Sequence, residues 1–448
     1  MELAIKIFQF ILSISILVIL HELGHFLPAK WFKTKVEKFY LFFDPWFSVV
    51  KKKIGETEYG IGWLPFGGYV KIAGMVDESM DTEQLKQPAQ PWEFRAKPAW
   101  QRLIIMMGGV TVNFFLAWII YGCLSFFNGE TVFDSTKVNA PMNYTHVAKA
   151  MGFQDGDKIL KVDGKVQNNL DKLSLDILLS DDITVLRDGK EVTFPTNDDG
   201  KALAFKDPNP KAFLTPRYPA VIDSIYNAKT AAAGLKVGDQ VISANGKKIA
   251  YYDEFQEVVR NNAGKDLNIE VSRNGAVQPL VLQVSKEGTL GLASYKQLTK
   301  YAETKHFTFA QSIGRGFTRS IESLTYQVKQ FKLIFNSKVQ GYKKVGGPLA
   351  IIKNMPVDKA KDGSVSIDWT LFWSFTAMFS VWLAFLNLIP IPGLDGGHVI
   401  FTLYEMIVGK PVPQKVLENA QMVGVIFLLG LMLLIFGADI FKIITNKF

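Results

Sequence analysis

Cysteine is almost missing from this chain: Cys123 is the only one among 448 residues. An intramolecular disulfide is therefore impossible, and a cysteine-based metal site is excluded. Histidine is scarce too, with five residues, so any metal chemistry depends on where those few fall. Charged side chains make up 21% of the sequence against 48% hydrophobic ones, and the mean hydropathy is +0.13. That balance is too apolar for a disordered chain and high for a wholly soluble one. Acidic residues are outnumbered, 42 against 50 basic ones. The surplus could serve nucleic acid or anionic lipid, and its distribution decides between them.

Uncharged runs settle the class. Leu103–Phe127, Trp369–Leu394 and Ala420–Ala438 carry no charge, and each can cross a hydrocarbon core as a helix of about 20 residues. Ile7–Ala29 is a fourth candidate, interrupted only by His21, Glu22 and His25. Its leading lysine is balanced by Glu2, and no small-residue cleavage site follows it, so it reads as a retained helix and not a signal peptide. Lys30, Lys33, Lys35, Lys38 and Lys51–Lys53 follow this helix, which places that loop in the cytoplasm by the positive-inside rule. Four alternating helices then put both termini and the segment 128–368 outside. The basic charge reads as topology and membrane-lipid contact; no nucleic-acid module is present.

The outer segment repeats itself. Gly152-Phe-Gln-Asp-Gly-Asp-Lys-Ile-Leu-Lys-Val-Asp-Gly164 aligns with Gly234-Leu-Lys-Val-Gly-Asp-Gln-Val-Ile-Ser-Ala-Asn-Gly246, and Arg187-Asp-Gly189 with Arg273-Asn-Gly275. Asp-Gly and Asn-Gly favour tight hairpin turns, so two copies of one small β-rich domain are expected. The pattern resembles bacterial PDZ domains. These add an extended peptide to a sheet edge, often gripping a C-terminal carboxylate; a copy that only limits access is the alternative. Phe307–Lys338 has the pattern of an amphipathic surface helix, and Gly346-Gly-Pro348 marks a turn after it.

His21-Glu-Leu-Gly-His25 is an HExxH motif. On a helix, residues i and i+4 share a face, so both imidazoles can reach one ion. Zinc suits this donor type, and Glu22 beside the first ligand is placed to act as general base toward water. Ionisable residues inside a membrane helix are costly and usually functional. A third ligand must come from another helix. Asp395, in Asn387-Leu-Ile-Pro-Ile-Pro-Gly-Leu-Asp-Gly-Gly-His398, is expected to close the third membrane helix on the same side as His21 and His25. His398 is its rival. Prolines at 390 and 392 break the helix, which is tolerated at depth only where backbone is buried in protein or beside water.

HExxH in the first helix, NxxPxPxLDGGH in the third and paired PDZ-like domains between membrane halves resemble the site-2 protease family of intramembrane zinc metalloproteases. Phe66-Gly-Gly-Tyr-Val-Lys71, Lys97-Pro-Ala-Trp-Gln-Arg102 and Gly109-Val-Thr-Val-Asn113 fit the same resemblance. It implies zinc held by His21, His25 and Asp395, with Glu22 as catalytic base. It implies a substrate-binding or oxyanion-side role for Asn387 and a core-facing polar role for Asn113. It further implies cleavage of single-pass membrane substrates (anti-sigma factors, remnant signal peptides) already trimmed by another protease, in a bacterial inner membrane with the PDZ-like domains in the periplasm or outside. Phe42-Phe-Asp-Pro-Trp-Phe47 is bulkier than the glycine-rich stretch of proteobacterial members, and the acidic stretch Asp77–Glu83 also departs from them.

Thr57, Tyr59, Ile61 and Trp63 alternate with Glu58, Gly60 and Gly62, a strand period. A re-entrant β-hairpin over about 56–72 is expected, with Gly60, Ile61 and Gly62 on an edge that pairs with unwound substrate; a solvent-exposed hairpin is the plainer alternative. The expected architecture is a polytopic α-helical membrane protein with four transmembrane helices, that hairpin and two inserted PDZ-like domains. Its parts are 1–127 (N-terminal membrane half), 128–214 and 215–290 (PDZ-like domains), 291–368 (connecting region) and 369–448 (C-terminal membrane half). A scaffold with an inert metal site competes, but a structural site would fill its fourth position with protein. A transporter would show inverted repeats among membrane segments, and the repeat here is confined to the outer segment.

Overall fold

The computed structural model describes residues 2–75, 87–133, 142–166, 170–206, 213–294, 302–359 and 364–445; Asp77–Glu83 lies outside the described residues. The chain divides into two compact units. One comprises Met1–Gly129, His306–Phe331 and Lys344–Phe448, the other Glu130–Lys305 and Lys332–Lys343. The expected connecting region 291–368 is thus shared between them.

The first unit opens with helix α1 (Glu2–Trp31) and continues with α2 (Ala99–Phe127). Two glycines set their approach. A Cβ on Gly24 would stand 2.4 Å from the Gly108 carbonyl oxygen, and one on Gly108 would stand 1.9 Å from that of Gly24. Small residues let membrane helices meet backbone to backbone where dispersion, not hydrophobicity, drives association. Below this crossing Ala29, Val36, Ile72, Ile105 and Met106 form a buried cluster.

Strands β1 (Val36–Ile54) and β2 (Thr57–Ile72) join through a turn at Gly55–Glu56. Each folds back on itself. β1 reverses where Phe42 and Trp46 take positive φ of 67° and 72°, and β2 reverses at Gly67, φ 127°. Left-handed backbone is uncommon for bulky residues, and here it sits where glycine would turn most easily. Residues 57–62 pair with 48–54, from Ile54↔Thr57 to Ser48↔Gly62, and also with 36–41, from Lys38↔Glu58 to Leu41↔Ile61. Residues 36–41 pair in turn with 68–72. The segments therefore lie in the order 48–54, 57–62, 36–41, 68–72.

This order corrects the expected hairpin. The β-structure spans 36–72, not 56–72, and the segment holding Gly60, Ile61 and Gly62 is flanked on both sides. The free edges among the described residues are 48–54 and 68–72. The glycines admit the sheet's own atoms: a Cβ on Gly60 would lie 2.3 Å from the Tyr40 ring, and one on Gly62 2.1 Å from the Phe43 carbonyl oxygen. Strand periodicity reveals which residues share a face, but not which neighbour occupies each edge.

The second unit contains β3 (Glu130–Phe133) paired with β16 (Ala302–Lys305), and between them two similar modules. The first holds β4 (Met142–Tyr144), α3 (His146–Ala150), β5 (Lys158–Val162), β6 (Lys165–Val166), α4 (Leu170–Leu179), β7 (Asp182–Arg187), β8 (Lys190–Pro195), α5 (Asp198–Lys206) and β9 (Leu214–Pro216). The second holds β10 (Ser224–Ile225), α6 (Ala228–Ala232), β11 (Gln240–Ala244), β12 (Lys247–Lys248), α7 (Tyr252–Asn261), β13 (Asp266–Arg273), β14 (Ala276–Gln283) and β15 (Leu292–Ala293). Their four-stranded sheets have corresponding orders, β6-β5-β7-β8 and β12-β11-β13-β14. Asp163-Gly164 and Asn245-Gly246 both turn with positive φ. Arg187 bonds Asp157 and the Gly152 carbonyl, and Arg273 bonds Asp239 and the Gly234 carbonyl. Each module has its own buried core. β9 pairs with β4, and β15 with β10, so the module ends lie beyond the expected boundaries at 214 and 290. The helix α5 has no counterpart in the second module.

The chain returns through α8 (Phe309–Ile334) and α9 (Pro348–Lys353), then α10 (Trp369–Leu388), α11 (Asp395–Val408) and α12 (Gln414–Ile444). The Asp368 carboxylate accepts the Leu371 amide at 2.9 Å and caps α10. α10 stops at Leu388 because Pro390 and Pro392 cannot supply the amides a continuing helix needs. Asp395 therefore does not close the third membrane helix as expected; it is the first residue of the separate helix α11. At 14 residues, α11 is about 21 Å long, short of a span. α1, α2, α10 and α12 are long and apolar enough to cross a bilayer, and the chain is a multi-pass membrane protein with β-rich domains.

Candidate metal centre

His21 and His25 stand one turn apart on α1, facing α2. Gly109 makes room for both: a Cβ there would lie 2.5 Å from each imidazole. Their Nε2 atoms are 3.2 Å apart. Each is 3.3 Å from Asp395 Oδ2, delivered by the first turn of α11. Donors around one tetrahedral zinc, with bonds of about 2.0–2.1 Å, stand about 3.3–3.4 Å apart. Asp395 Oδ2 is buried and makes no hydrogen bond among the described residues, which leaves its lone pairs directed at the same point as the two Nε2 atoms. The donor set and spacing fit a zinc ion. Among the described residues, this is the one group of three His, Cys, Asp or Glu side chains close enough to share an ion. His398, the rival third ligand, is not in it.

The other nitrogen of each ring is also held. His25 Nδ1 lies 2.8 Å from the Ile105 carbonyl oxygen, so Nδ1 carries the proton and Nε2 keeps its lone pair. His21 Nδ1 lies 3.2 Å from the Asn113 side-chain amide. Asn113 is fully buried, its Oδ1 has no partner among the described residues, and its backbone carbonyl accepts Ser380 Oγ at 2.7 Å. Amide oxygen and nitrogen are interchangeable in placement. Only Oδ1 toward His21 accepts the Nδ1 proton that an Nε2-ligating histidine must carry. Ile105 and the Gly108-Gly109 pair were not anticipated as parts of the site. A Gly-Gly pair inside an apolar run was the available signal.

Glu22 follows His21 on α1 and turns toward the sheet. The Val70 amide faces its carboxylate, and a Cβ on Gly68 would stand 3.6 Å from Glu22 Cγ. The free strand 68–72 therefore borders the centre. Asn387, in the last turn of α10, brings Nδ2 to 3.4 Å from His21 Nε2, on the donor side of the ring. Gly60, Ile61 and Gly62 are not brought to the centre. They lie in the segment flanked by 48–54 and 36–41, whereas the segment that meets Glu22 is 68–72.

The sequence pattern of peptidase family M50 matches residues 9–431. A Clostridium perfringens protein named as a zinc metalloprotease is 30% identical over 96% of this chain and 97% of its own length. The regulator of sigma-E protease RseP of Escherichia coli is 27% identical over 95% of this chain and 96% of its own. The regulator of sigma E protease of Haemophilus influenzae is 26% identical over 94% and 96%.

Proposed function

This chain belongs to peptidase family M50 and is a membrane zinc metalloprotease, and from that premise we propose that it cleaves single-pass transmembrane substrates inside the bilayer after another protease has trimmed them. The observation that carries the reading is the convergence of His21, His25 and Asp395 on one point, with Glu22 beside it and a free strand edge next to Glu22. His21, His25 and Asp395 would hold the ion. When bound, zinc supplies a Lewis acid that polarises a carbonyl and lowers the pKa of water to about 7. Glu22 takes the proton from the attacking water and passes it to the leaving amine. Asn387 Nδ2, aimed at the same side of His21, donates to the substrate carbonyl as charge develops on it.

A peptide bond in a membrane helix is hidden, because its carbonyl is bonded along the helix. Unwinding must be offset by new backbone bonds, and strand addition provides them. The edge 68–72 replaces 60–62 as the strand that receives substrate, since its outward amide at Val70 already points at Glu22. This edge belongs to a re-entrant sheet. Trp46 and Phe47 at its turn are exposed apolar residues with Trp63 stacked beside them, which suits a tip in lipid. Lys51–Lys53 farther along the sheet suit the headgroup layer.

The two modules act as PDZ-like domains outside the cytoplasm, about 128–216 and 217–294. A groove of about 220 Å³ in the second, lined by Tyr252, Phe255, Val259, Arg260, Leu290 and Leu292, suits an extended peptide ending in a carboxylate. It favours docking in addition to size filtering. Two relatives are named regulator of sigma-E protease, and an anti-sigma factor of a bacterial inner membrane is the corresponding substrate class here. The deciding experiment compares wild type with Glu22→Gln in detergent, on a single-pass substrate lacking its outer domain. Zinc in both with cleavage by wild type alone supports the reading; cleavage by both removes Glu22 as the base.

A further inference from the structure

The last membrane helix, α12, buries few of its residues: Gln421, Gly424 and Asp439. The first two meet the same turn, the one that delivers Asp395. Gln421 Oε1 accepts the Gly393 amide at 3.1 Å in a buried contact. A Cβ on Gly424 would come within 1.6 Å of the Pro392 carbonyl oxygen, so the helix backbone lies directly on the turn. Gly393 has φ +99°, and a Cβ there would stand 3.1 Å from Leu428 Cδ1. Asp395 follows two residues later.

We infer that Gln421 is a positioning residue for the third metal ligand, acting through the Gly393 peptide plane. The inference rests on the reading of Asp395 as that ligand. The turn 389–394 contains Pro390 and Pro392, which carry no amide proton, and the amides of Ile389, Ile391 and Leu394 bond along the chain; the Gly393 amide takes its acceptor from outside the turn. Inside a bilayer an unsatisfied amide turns toward whatever acceptor it can reach. Gln421 supplies that acceptor from another helix. It thereby fixes the rotation of the peptide leading into α11, and with it the direction of the Asp395 carboxylate. The other short contacts of the turn are internal, Ile391 N to Ile389 O at 2.7 Å and Leu394 N to Ile391 O at 3.0 Å. They shape the turn without orienting it toward α1. The far end of α12 is clasped separately: Asp439 accepts the amides of Gly347, Leu349 and Ala350 at 3.0–3.2 Å.

The test uses the full chain in detergent and reads zinc affinity by chelator competition and the visible spectrum of the cobalt-substituted protein. Gln421→Met keeps size and removes the acceptor; zinc affinity is expected to fall about 10–100-fold, as for other partners of metal ligands, with altered cobalt bands. Gln421→Glu restores an acceptor and is expected to return both readings toward wild type. Asp439→Asn, at the other clasp, is expected to lower thermal stability and leave the cobalt bands unchanged. Unchanged affinity and bands in Gln421→Met overturn the inference, as does an equal spectral change in Asp439→Asn. Should Gln421→Met not fold, Gln421→Asn, which shortens the reach, decides by the same two readings. Asp395→Asn separates the two levels: if it keeps zinc, the ligand reading itself fails; if it alone loses zinc, only the role of Gln421 does.

Discussion

His21 and His25 are equivalent in the motif, yet they are oriented by different groups. A main-chain carbonyl holds His25 Nδ1 and a side-chain amide holds His21 Nδ1. A carbonyl oxygen can only accept, so the His25 tautomer is set by the α2 backbone and survives most substitutions. The His21 tautomer depends on one residue. Asn113→Leu should therefore weaken zinc binding about 10–100-fold with the fold kept, measured by chelator competition, while Asn113→Asp, which still accepts, should lose less. Equal loss in both variants would mean that Asn113 serves packing alone. In the proposed mechanism Glu22→Gln removes the base without removing a ligand. Cleavage should drop about 10²–10⁴-fold with zinc content unchanged, read by metal analysis and a turnover assay on one preparation.

Among the elements, the sheet 36–72 makes the sharpest prediction because its two free edges differ in what they border. The edge 68–72 adjoins Glu22; the edge 48–54 carries Val49 and Lys51–Lys53 away from it. Proline removes an amide donor and is tolerated only at edges. Val70→Pro should lower turnover at least tenfold while zinc stays bound, and Val49→Pro should leave turnover within about twofold, following from the loss of a donor beside Glu22 in the one case and away from it in the other. The opposite ranking would place the substrate on the lysine-bearing edge. In the second β-rich module, burial pushes the Asp239 carboxyl up, but bonds from Arg273 and the Lys236 amide outweigh it and hold it below its ordinary value. A depressed folded value stabilises the module above the unfolded aspartate pKa of about 3.9 and is lost as pH falls through the lower folded value. Asp239→Asn should reduce hydrogen-exchange protection of 235–294 at neutral pH and flatten its loss as pH falls below about 4.

For the whole molecule, most of the second unit can be removed as one piece, leaving only its segment Lys332–Lys343. Glu130 pairs with Lys305, so the ends of 131–304 are neighbours and a short glycine link closes the gap. Deleting 128–290 instead would strand β15 and β16 without their partners. A size filter predicts that the 131–304 deletion cleaves untrimmed substrate, while docking through the Tyr252–Leu292 groove predicts slower cleavage of every substrate. The measurement is the ratio of cleavage of trimmed and untrimmed forms by the deleted and full-length chains. An unchanged ratio and rate would remove both roles from the two modules.

The sequence by itself determined the membrane class, the duplicated β-rich module and the two histidines with their glutamate. Each is a local matter: an uncharged run, an aligned pair of Gly-Asp patterns, two residues one helical turn apart. It also narrowed the third ligand to Asp395 or its rival His398, because alternating spans put that segment on the side of His21 and His25, and the family resemblance favoured Asp395. Only the tertiary structure decided how that ligand is delivered, by a separate helix after two prolines, and which strand borders Glu22. Periodicity fixes a strand's faces, since side chains alternate, but a strand's edges are filled by whichever segment folds against them. Gly60 and Gly62 read as an invitation to a foreign backbone, yet Tyr40 and Phe43 of the same chain had already taken the space.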